Sequence, residues 1–192
     1  MNVEGVITTI AGTGTAGNAG DGGLAINAQL SWPFGVWVDT KKNVYIADFA
    51  NNKIRMVDNT GIITTIAGAA GSPDSTGDGG PATSAKLNNP QGVATDSYGN
   101  IFIADTANNK IRMVNSAGII TTIAGTGVNG DLGDGGVATS ARLYFPIGIW
   151  VDMNNNIYIS DTNNNKIRWV WPQVPTSAPS ALPSPSQQPS KG

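Results

Sequence analysis

The side chains that could carry out chemistry in this chain are mainly carboxylates. The 192 residues include no histidine and no cysteine, which excludes Ser-His-Asp hydrolysis, thiol nucleophiles and histidine-based metal sites. Most of the aspartates recur in three sets: Asp21, Asp78 and Asp134; Asp39, Asp96 and Asp152; Asp48, Asp105 and Asp161. Carboxylates can bind calcium or take part in metal-assisted hydrolysis. Because each set recurs as a whole, a structural duty in a repeated unit is the competing interpretation.

The repetition extends well beyond the aspartates. The octet GIITTIAG at residues 61–68 recurs at 118–125 and, as GVITTIAG, at 5–12. Each copy continues through GDGG, a proline (Pro33, Pro90 or Pro146) and an ending such as DFANNKIRMV. A period of 56 to 57 residues is typical of one supersecondary unit whose copies stack on each other.

Four short strand signals follow one another in every unit. In the first unit they are GVWVD (35–39), NVYIAD (43–48), KIRMV (53–57) and IITTIAG (62–68), all rich in β-branched and aromatic residues. Polar turns separate them, so an antiparallel meander is expected. The longer connection carries A-x-x-A-x-L, which predicts a short helical turn against the sheet. We therefore predict an all-β protein made of four-stranded β-propeller blades.

The pattern P-x-G-V-x-V-D followed by N-I-Y-I-A-D-x-x-N-N-K-I-R-x-V resembles the NHL-repeat family of β-propellers across residues 5–171. The resemblance implies a blade fold and a recognition surface for proteins, nucleic acid or other ligands. A minority of the relatives and neighbouring propellers are metal-dependent lyases or lactonases. The fold by itself therefore does not decide the function.

Three repeats, at about 5–60, 61–117 and 118–171, would make half of a six-bladed ring within a domain spanning residues 1–171. Residues 6–11 are predicted to be an outer strand with no blade before it. The last repeat ends near Val170 without its own outer strand. Because the two ends are complementary, we expect a homodimer formed head to tail by strand exchange. The alternative is a fragment of a longer propeller.

Residues 172–192 differ from the repeats in composition. This Pro/Ser-rich segment is expected to be a disordered or extended linker or stalk. Its mixture of serine, threonine and proline favours an extracellular or cell-surface parent protein. No signal peptide is recognisable in the sequence, and no apolar run approaches the roughly 18 residues of a membrane span. The net charge of −2 provides no basic field for nucleic acid.

The Asp-x-x-Asn-Asn turns are interpreted as structural. The carboxylate can accept backbone N–H bonds, and the asparagines suit a left-handed backbone. These turn residues are Asp48, Asn51 and Asn52; Asp105, Asn108 and Asn109; Asp161, Asn164 and Asn165.

The remaining recurrent aspartates are weak candidates for a calcium site, and no other cofactor is expected. Those in GDGG (Asp21, Asp78, Asp134) could bind the cation or cap the short helix that follows. Those that end the innermost strands (Asp39, Asp96, Asp152) would have to converge to hold a catalytic metal. The basic pairs on the third strand, Lys53 with Arg55 and their equivalents, are interpreted as a solvated face partly paired with aspartates.

Positions at which the three repeats carry different residues are candidates for binding, because the blade fold does not require one residue there. Variation gathers around the proline that starts the innermost strand, at one mouth of the predicted channel. The ligand-binding candidates are Trp32, Phe34, Trp37, Asn89, Gln91, Tyr144, Phe145 and Trp150. An aromatic rim of this kind suits a protein or a glycan. The favoured function is a non-catalytic recognition or scaffold module; a calcium-dependent hydrolase or lyase and a structural building block of a larger assembly are the alternatives.

Overall fold

The computed structural model describes residues 5–69 and 73–171, in which three antiparallel sheets follow one another along the chain. The first blade contains β1 (Pro33–Val38), β2 (Val44–Asp48), β3 (Lys53–Val57) and β4 (Ile63–Ala67). The second contains β5 (Gly92–Thr95), β6 (Ile101–Asp105), β7 (Lys110–Val114) and β8 (Ile120–Ala124). The third contains β9 (Pro146–Val151), β10 (Ile157–Asp161) and β11 (Lys166–Val170). The predicted all-β blade architecture is confirmed.

Strands pair in meander order, and their side chains alternate between two faces of each blade. Tyr45 and Ala47 pack with Val93 and Ile103 of the second blade. We call this side, which is turned toward the next blade along the chain, the trailing face. Ile46, between them in sequence, packs on the opposite side with the connection that precedes the blade. We call that opposite side the leading face.

Among the described residues, two of the three apolar cores lie between successive blades, and the third lies between the first blade and the connection that precedes it. Each long connection contributes small alanines and a leucine to such a core, as Ala82, Ala85 and Leu87 do between the first and second blades. The predicted helical turns are single 3-10 turns, Ala25–Asn27, Ala82–Ser84 and Ala138–Ser140. A single blade has only a thin apolar layer, so its stability depends on its neighbours.

A second set of 3-10 turns closes the β2–β3 hairpin and its equivalents, at Phe49–Asn51, Thr106–Asn108 and Thr162–Asn164. The next residue in each copy is an asparagine with a left-handed backbone, as expected for this turn. The φ angles are 54° for Asn52, 52° for Asn109 and 55° for Asn165. Asparagine tolerates this conformation better than most residues do.

Residues 6–11 were predicted to form an outer strand, and in the structure they do not. Val6 and Ile7 are 89% and 98% exposed, and this segment pairs with no strand. The reason is that a strand needs a neighbouring ladder, and the described part of the chain offers none at this place. The predicted linker at 172–192 lies outside the described residues. Where the structure describes helical segments, none is long and apolar enough to cross a membrane.

Candidate functional site

The aspartate that ends each second strand is buried and joins three parts of its blade. Asp48 Oδ1 accepts the Ser31 N–H at 2.7 Å. Its Oδ2 accepts bonds from Asn51 Nδ2 at 2.8 Å and from Arg55 at 3.3 Å. Asp105 and Asp161 make the same three kinds of bond. Each carboxylate thus fixes its own turn and also the segment that leads into the innermost strand.

The second asparagine of the turn connects successive blades. Asn52 Oδ1 accepts the N–H of Asn89 at 2.7 Å, at the start of the second blade. Asn109 Oδ1 accepts the N–H of Phe145 at 2.9 Å, at the start of the third. Asn165 is the equivalent residue of the third blade, and the described chain contains no fourth blade for it to bind.

The arginine of each third strand is buried, so the interpretation of a solvated basic face was wrong for this residue. Arg55 and Arg112 are fully buried, and Arg168 is 8% exposed. Arg55 lies 2.7 Å from Asp21 Oδ1 and 3.3 Å from Asp48 Oδ2. A buried guanidinium is tolerated only when its charge and its N–H groups are compensated. The sequence signal was an arginine accompanied in every copy by the same two aspartates.

The GDGG aspartates form ion pairs with these arginines. Asp21 binds Arg55 through Oδ1 and accepts a 2.6 Å bond from Thr65 Oγ1 through Oδ2. Burial acts to raise the pKa of Asp21, but the bonds from Thr65 and Arg55 outweigh it and hold that pKa below its ordinary value. The nearby 3-10 turns have no side-chain cap, so the capping hypothesis was wrong. Across residues 5–69 and 73–171, no three acidic side chains come together as metal ligands do.

The aspartates that end the innermost strands close their own turns. Asp39 Oδ1 accepts the N–H groups of Lys41 and Asn43 at 2.9 and 2.8 Å, and its Oδ2 accepts Asn43 Nδ2 at 2.9 Å. Asp96 and Asp152 are bound in the same way. Among the described residues each of these three carboxylates is engaged in its own turn, so the convergence that a shared catalytic calcium would require is not found there.

Two tryptophans of the predicted rim meet near the innermost strands. The rings of Trp37 and Trp150 lie edge to face with centroids 5.0 Å apart. Trp37 packs against the cores on both sides of the second blade, and its Nε1 donates a 2.9 Å bond to Thr95 Oγ1. Ala94 occupies the equivalent position in the second blade and is fully buried. Trp37 is therefore largely a packing residue, whereas Trp150 is more than half exposed.

A separate aromatic cluster lies at the start of the first blade. Phe49 contacts both Trp32 and Phe34, with ring centroids 6.4 and 4.8 Å apart. Trp32 and Phe34 are exposed, and Phe34 lies on the leading face. The predicted aromatic rim is thus divided between two places. Phe49, which we did not select from the sequence, completes the second of them.

The remaining rim candidates have mainly structural contacts. Gln91 is buried between the first two blades. The N–H of Tyr144 is bound by Asp161, and Tyr144 is 38% exposed. The N–H groups of Asn89 and Phe145 donate the blade-to-blade bonds, and both residues have a left-handed backbone, with φ of 49° and 55°. Such a backbone is costly for a bulky residue, and it recurs before the proline in all three blades.

The trailing face of the third blade is aromatic and open. It comprises Trp150, Tyr158, Ile167 and Trp169, with Trp171 adjoining them. Tyr158 stacks on Trp169 at 6.4 Å, and Trp169 contacts Trp171 at 4.8 Å. Ile167 is 71% exposed, whereas its equivalents in the first two blades, Ile54 and Ile111, are fully buried. This face has the chemistry of a contact between blades, and no blade covers it in the described chain.

The leading face of the first blade is open in the same way. Phe34, Val36 and Val38 are each more than half exposed. Their equivalents in the second blade, Gln91, Val93 and Thr95, are buried by the first blade. Contiguous exposed apolar surface of this kind marks an interaction site. The signal in the sequence was that these positions are largely apolar in every copy, whether or not another blade covers them.

A cleft of about 1150 Å3 lies between the outer parts of the second and third blades. One wall is the GDGG loop, Gly133–Ala138, and the other includes the end of β11 with Trp169 and Val170. In the first two blades, β4 and β8 pass between the equivalent loop and strand. The cleft therefore lies where an outer strand would pass, and no strand of the described residues fills it.

The sequence comparisons identify the same repeat. The family model described as the Teneurin NHL domain matches residues 2–75 and 70–130. Protein SUPPRESSOR OF QUENCHING 1, chloroplastic, of Arabidopsis thaliana is 30% identical over 178 residues, which cover 88% of this chain and 16% of that protein. NHL repeat-containing protein 2 of Bos taurus is 37% identical over 95 residues, which cover 48% of this chain and 13% of that protein. The chain thus spans less than a fifth of either relative.

A comparison of folds agrees with this. A chain from the crystal structure of a nidogen/laminin complex superposes with a TM-score of 0.51 at 21% identity. The match covers 74% of this chain and 44% of that chain. At this level of identity the likeness concerns the fold alone.

Proposed function

This chain belongs to the NHL-repeat family, as a match to the Teneurin NHL domain, and from that membership we propose that it is a non-catalytic protein-recognition module. The observation that carries the proposal is the open trailing face of the third blade. Its aromatic and aliphatic side chains are those that the first two blades bury against protein. A protein surface that exposes such side chains has the composition of a site that binds another protein surface.

We favour a protein partner over a glycan for a geometric reason. Within the chain, the equivalents of the face residues Tyr158 and Ile167 are covered by the next blade of the protein, not by a polar ligand. A glycan site would need hydrogen-bonding groups around its aromatic platform. Trp37, the rim residue best placed for such a platform, already gives its indole N–H to Thr95.

We propose further that the first partner is a second copy of the chain, arranged head to tail so that two half propellers form a six-bladed ring. Glycines on the innermost strands support this arrangement. A methyl group at Gly35 would lie 2.4 Å from the Gln91 carbonyl oxygen, and one at Gly92 would lie 2.2 Å from that of Ile147. Blades therefore touch closely at these glycines. Gly148 holds the same position on the third blade, facing the gap.

A structural building block is the second candidate, because the same two faces could add copies without closing a ring. A calcium-dependent hydrolase or lyase is not favoured, since Asp39, Asp96 and Asp152 are each tied into a separate turn. The composition of residues 172–192 supports an extracellular or cell-surface location as part of the same proposal.

Sedimentation equilibrium of the full chain tests the proposal through two variants of exposed residues. Ile167→Asp places a charge on the trailing face and should abolish self-association, because burying an unpaired carboxylate is unfavourable. Met153→Asp is the matched control, since Met153 is 98% exposed in the β9–β10 turn; this variant should associate as the wild type does. Circular dichroism verifies that both are folded. Equal association by all three proteins would contradict the proposal, and open-ended growth blocked by Ile167→Asp would favour the building block.

A further inference from the structure

We propose that the segment Gly5–Gly12 of one chain docks as the missing outer strand of the third blade of a second chain, between β11 and the loop Gly133–Ala138. This inference rests on the proposed head-to-tail partner. It identifies the segment of one chain and the slot of the other, the space between β11 and the loop Gly133–Ala138, that would join the two copies. A dimer held by the blade faces alone would not require it.

The first two blades show what an outer strand does in this repeat. The N–H of Gly22 donates to the Ile63 carbonyl oxygen at 2.8 Å, and the N–H of Ile63 donates to Gly23 at 3.0 Å. The N–H of Ala25 donates to the Gly61 carbonyl oxygen at 2.8 Å. The second blade repeats all three bonds. The Gly79 N–H donates to the Ile120 carbonyl oxygen and the Ile120 N–H to that of Gly80, while the Ala82 N–H donates to that of Gly118. The outer strand is thus bound on both edges, by the third strand of its blade and by the GDGG loop.

The third blade presents the same binding groups without a strand. Gly135 N–H, the Gly136 carbonyl and Ala138 N–H are the equivalents, and no described strand lies against them. The GDGG aspartate of this blade is also less covered, since the side chain of Asp134 is 69% exposed compared with 41% for Asp21. Asp134 still holds Arg168 at 2.8 Å. The GDGG loop of the third blade therefore already positions the backbone groups that would bind an outer strand.

The segment that fits this slot is in the chain, and its residues 5–11 pair with no strand among the described residues. Residues 5–12 read GVITTIAG, which differs from the strands that fill the other two slots at one position, Val6. Ile7 is 98% exposed, while its equivalents Ile63 and Ile120 are fully buried. A β-branched segment that is unpaired and apolar is a template for strand addition.

The register follows from the filled slots. Val57 pairs with Ile63 and Arg55 pairs with Thr65 in the first blade, so Ile7 should face Val170 and Thr9 should face Arg168. Thr65 Oγ1 donates to Asp21, and Thr9 Oγ1 should donate to Asp134. Leu24 forms a bridge with Ile62, and Pro81 forms one with Ile119, so Val6 should lie opposite Val137.

The strand is expected from a second copy. In the sequence, Pro172 and Pro175 follow Trp171, and proline has no N–H to give to a ladder. The start of the first blade holds Gly12 through a bond from its N–H to the Ala25 carbonyl oxygen. Residues 5–11 therefore project from the leading side of the first blade, where a partner's third blade would lie in a head-to-tail ring.

Disulfide trapping tests the pairing in trans, and the absence of native cysteine makes it clean. The bonds that flank the Leu24–Ile62 bridge make it a non-hydrogen-bonded pair, with Cα atoms about 4.5 Å apart in such pairs, within disulfide reach. We would mix the single variants Val6→Cys and Val137→Cys under mild oxidation. Covalent dimers should form at least about tenfold faster than in a mixture of Val6→Cys with Val128→Cys, because docking raises the effective concentration. Val128 is exposed and lies outside the slot.

A second measurement separates this inference from the proposed function. Ile7→Asp should lose the dimer in sedimentation equilibrium, while Met153→Asp keeps it, and the synthetic peptide GVITTIAG should bind the Ile7→Asp chain. A dimer that persists in Ile7→Asp with no preferential cross-link would overturn strand exchange while leaving the blade-face partner intact. Cross-linking only within a chain carrying both cysteines would overturn docking in trans. A wild-type chain that stays monomeric, together with an Ile7→Asp chain that binds no peptide, would overturn both proposals.

Discussion

The guanidinium of Arg112 lies 3.1 Å from the carboxylate of Asp105, and both side chains are fully buried inside the second blade. Burial raises the pKa of Asp105 to about 6, against the opposing effect of bonds from Asn108, the Asn88 N–H and Arg112. The same pair recurs in the first and third blades. Each blade is therefore organised around a charged pair that also connects its turn to the segment before its innermost strand.

Replacing Asp105 by alanine should destabilise the protein strongly. The change leaves the buried Arg112 without one of its two carboxylates and removes the acceptor for the Asn88 N–H. We expect the free energy of unfolding in urea to fall by about 3 to 5 kcal/mol. The exposed Asp74 provides the control, and Asp74→Ala should change the urea midpoint little. Similar midpoints for the two variants would show that the buried pair is not a stabilising element.

Two glycine substitutions should separate folding from assembly. Gly92→Ala places a methyl group 2.2 Å from the Ile147 carbonyl oxygen, so it should push the second and third blades apart and lower the melting temperature. At Gly148 the methyl group would meet only Ser160, with the hydroxyl oxygen at 2.7 Å and Cβ at 3.4 Å. The hydroxyl can rotate away, and the distance to Cβ is an ordinary contact. Gly148→Ala should therefore keep the melting temperature of the monomer and weaken the dimer. A Gly148→Ala chain that associates as strongly as the wild type would argue against close contact of this strand with a following blade.

Acid should weaken the fold through Asp21 and Asp78, the GDGG aspartates of the first two blades. The pKa of Asp21 in the folded state lies below its ordinary value of 3.8, because the bonds from Thr65 and Arg55 exceed the effect of burial. A carboxyl whose folded pKa is depressed contributes stability above its unfolded pKa and loses it as the pH falls through the folded value. Unfolding free energies measured from pH 6 to pH 3 should therefore decline at the acid end. The decline of the unfolding free energy with falling pH should be shallower in Asp21→Asn. An unchanged dependence on pH would show that Asp21 does not contribute to the acid sensitivity.

The two central tryptophans should behave differently when truncated. Trp37 packs against both inter-blade cores and binds Thr95, so Trp37→Ala should cost about 2 to 4 kcal/mol of unfolding free energy. Trp150 is 57% exposed, and Trp150→Ala should leave the unfolding midpoint nearly unchanged while it weakens association. If Trp37→Ala proved harmless to folding and Trp150→Ala harmless to binding, neither the packing nor the rim assignment would hold.

Much of the fold could be predicted from the sequence because the repeat supplies its own comparison. The strands at 53–57 and 110–114 and the left-handed Asn52 follow directly from β-branched runs and Asp-x-x-Asn-Asn turns. The buried Arg55 could not be derived in the same way. Period-two spacing with Lys53 is typical of a solvated face, and only the three-dimensional path of the GDGG loop brings Asp21 onto it.

The candidate site was predicted only in part for a similar reason. Trp32, Phe34 and Trp37 are close in sequence, but strand alternation and the bulge between Pro33 and Val36 send their side chains to different surroundings. The unpaired third blade was recognised as a pattern without its last strand. The face residues Tyr158 and Ile167 were not selected, because their equivalents in other copies look like ordinary core.

The central claim, that the open faces of this half propeller are closed by a second copy, is tested most directly by the solution mass. Light scattering after size exclusion, over a dilution series of the 19.7 kDa chain, should give twice the chain mass at high concentration and a concentration-dependent return to the single chain. A discrete mass of two chains is the result that the account predicts. A single-chain mass at every concentration, or a mass that grows without limit, would contradict it.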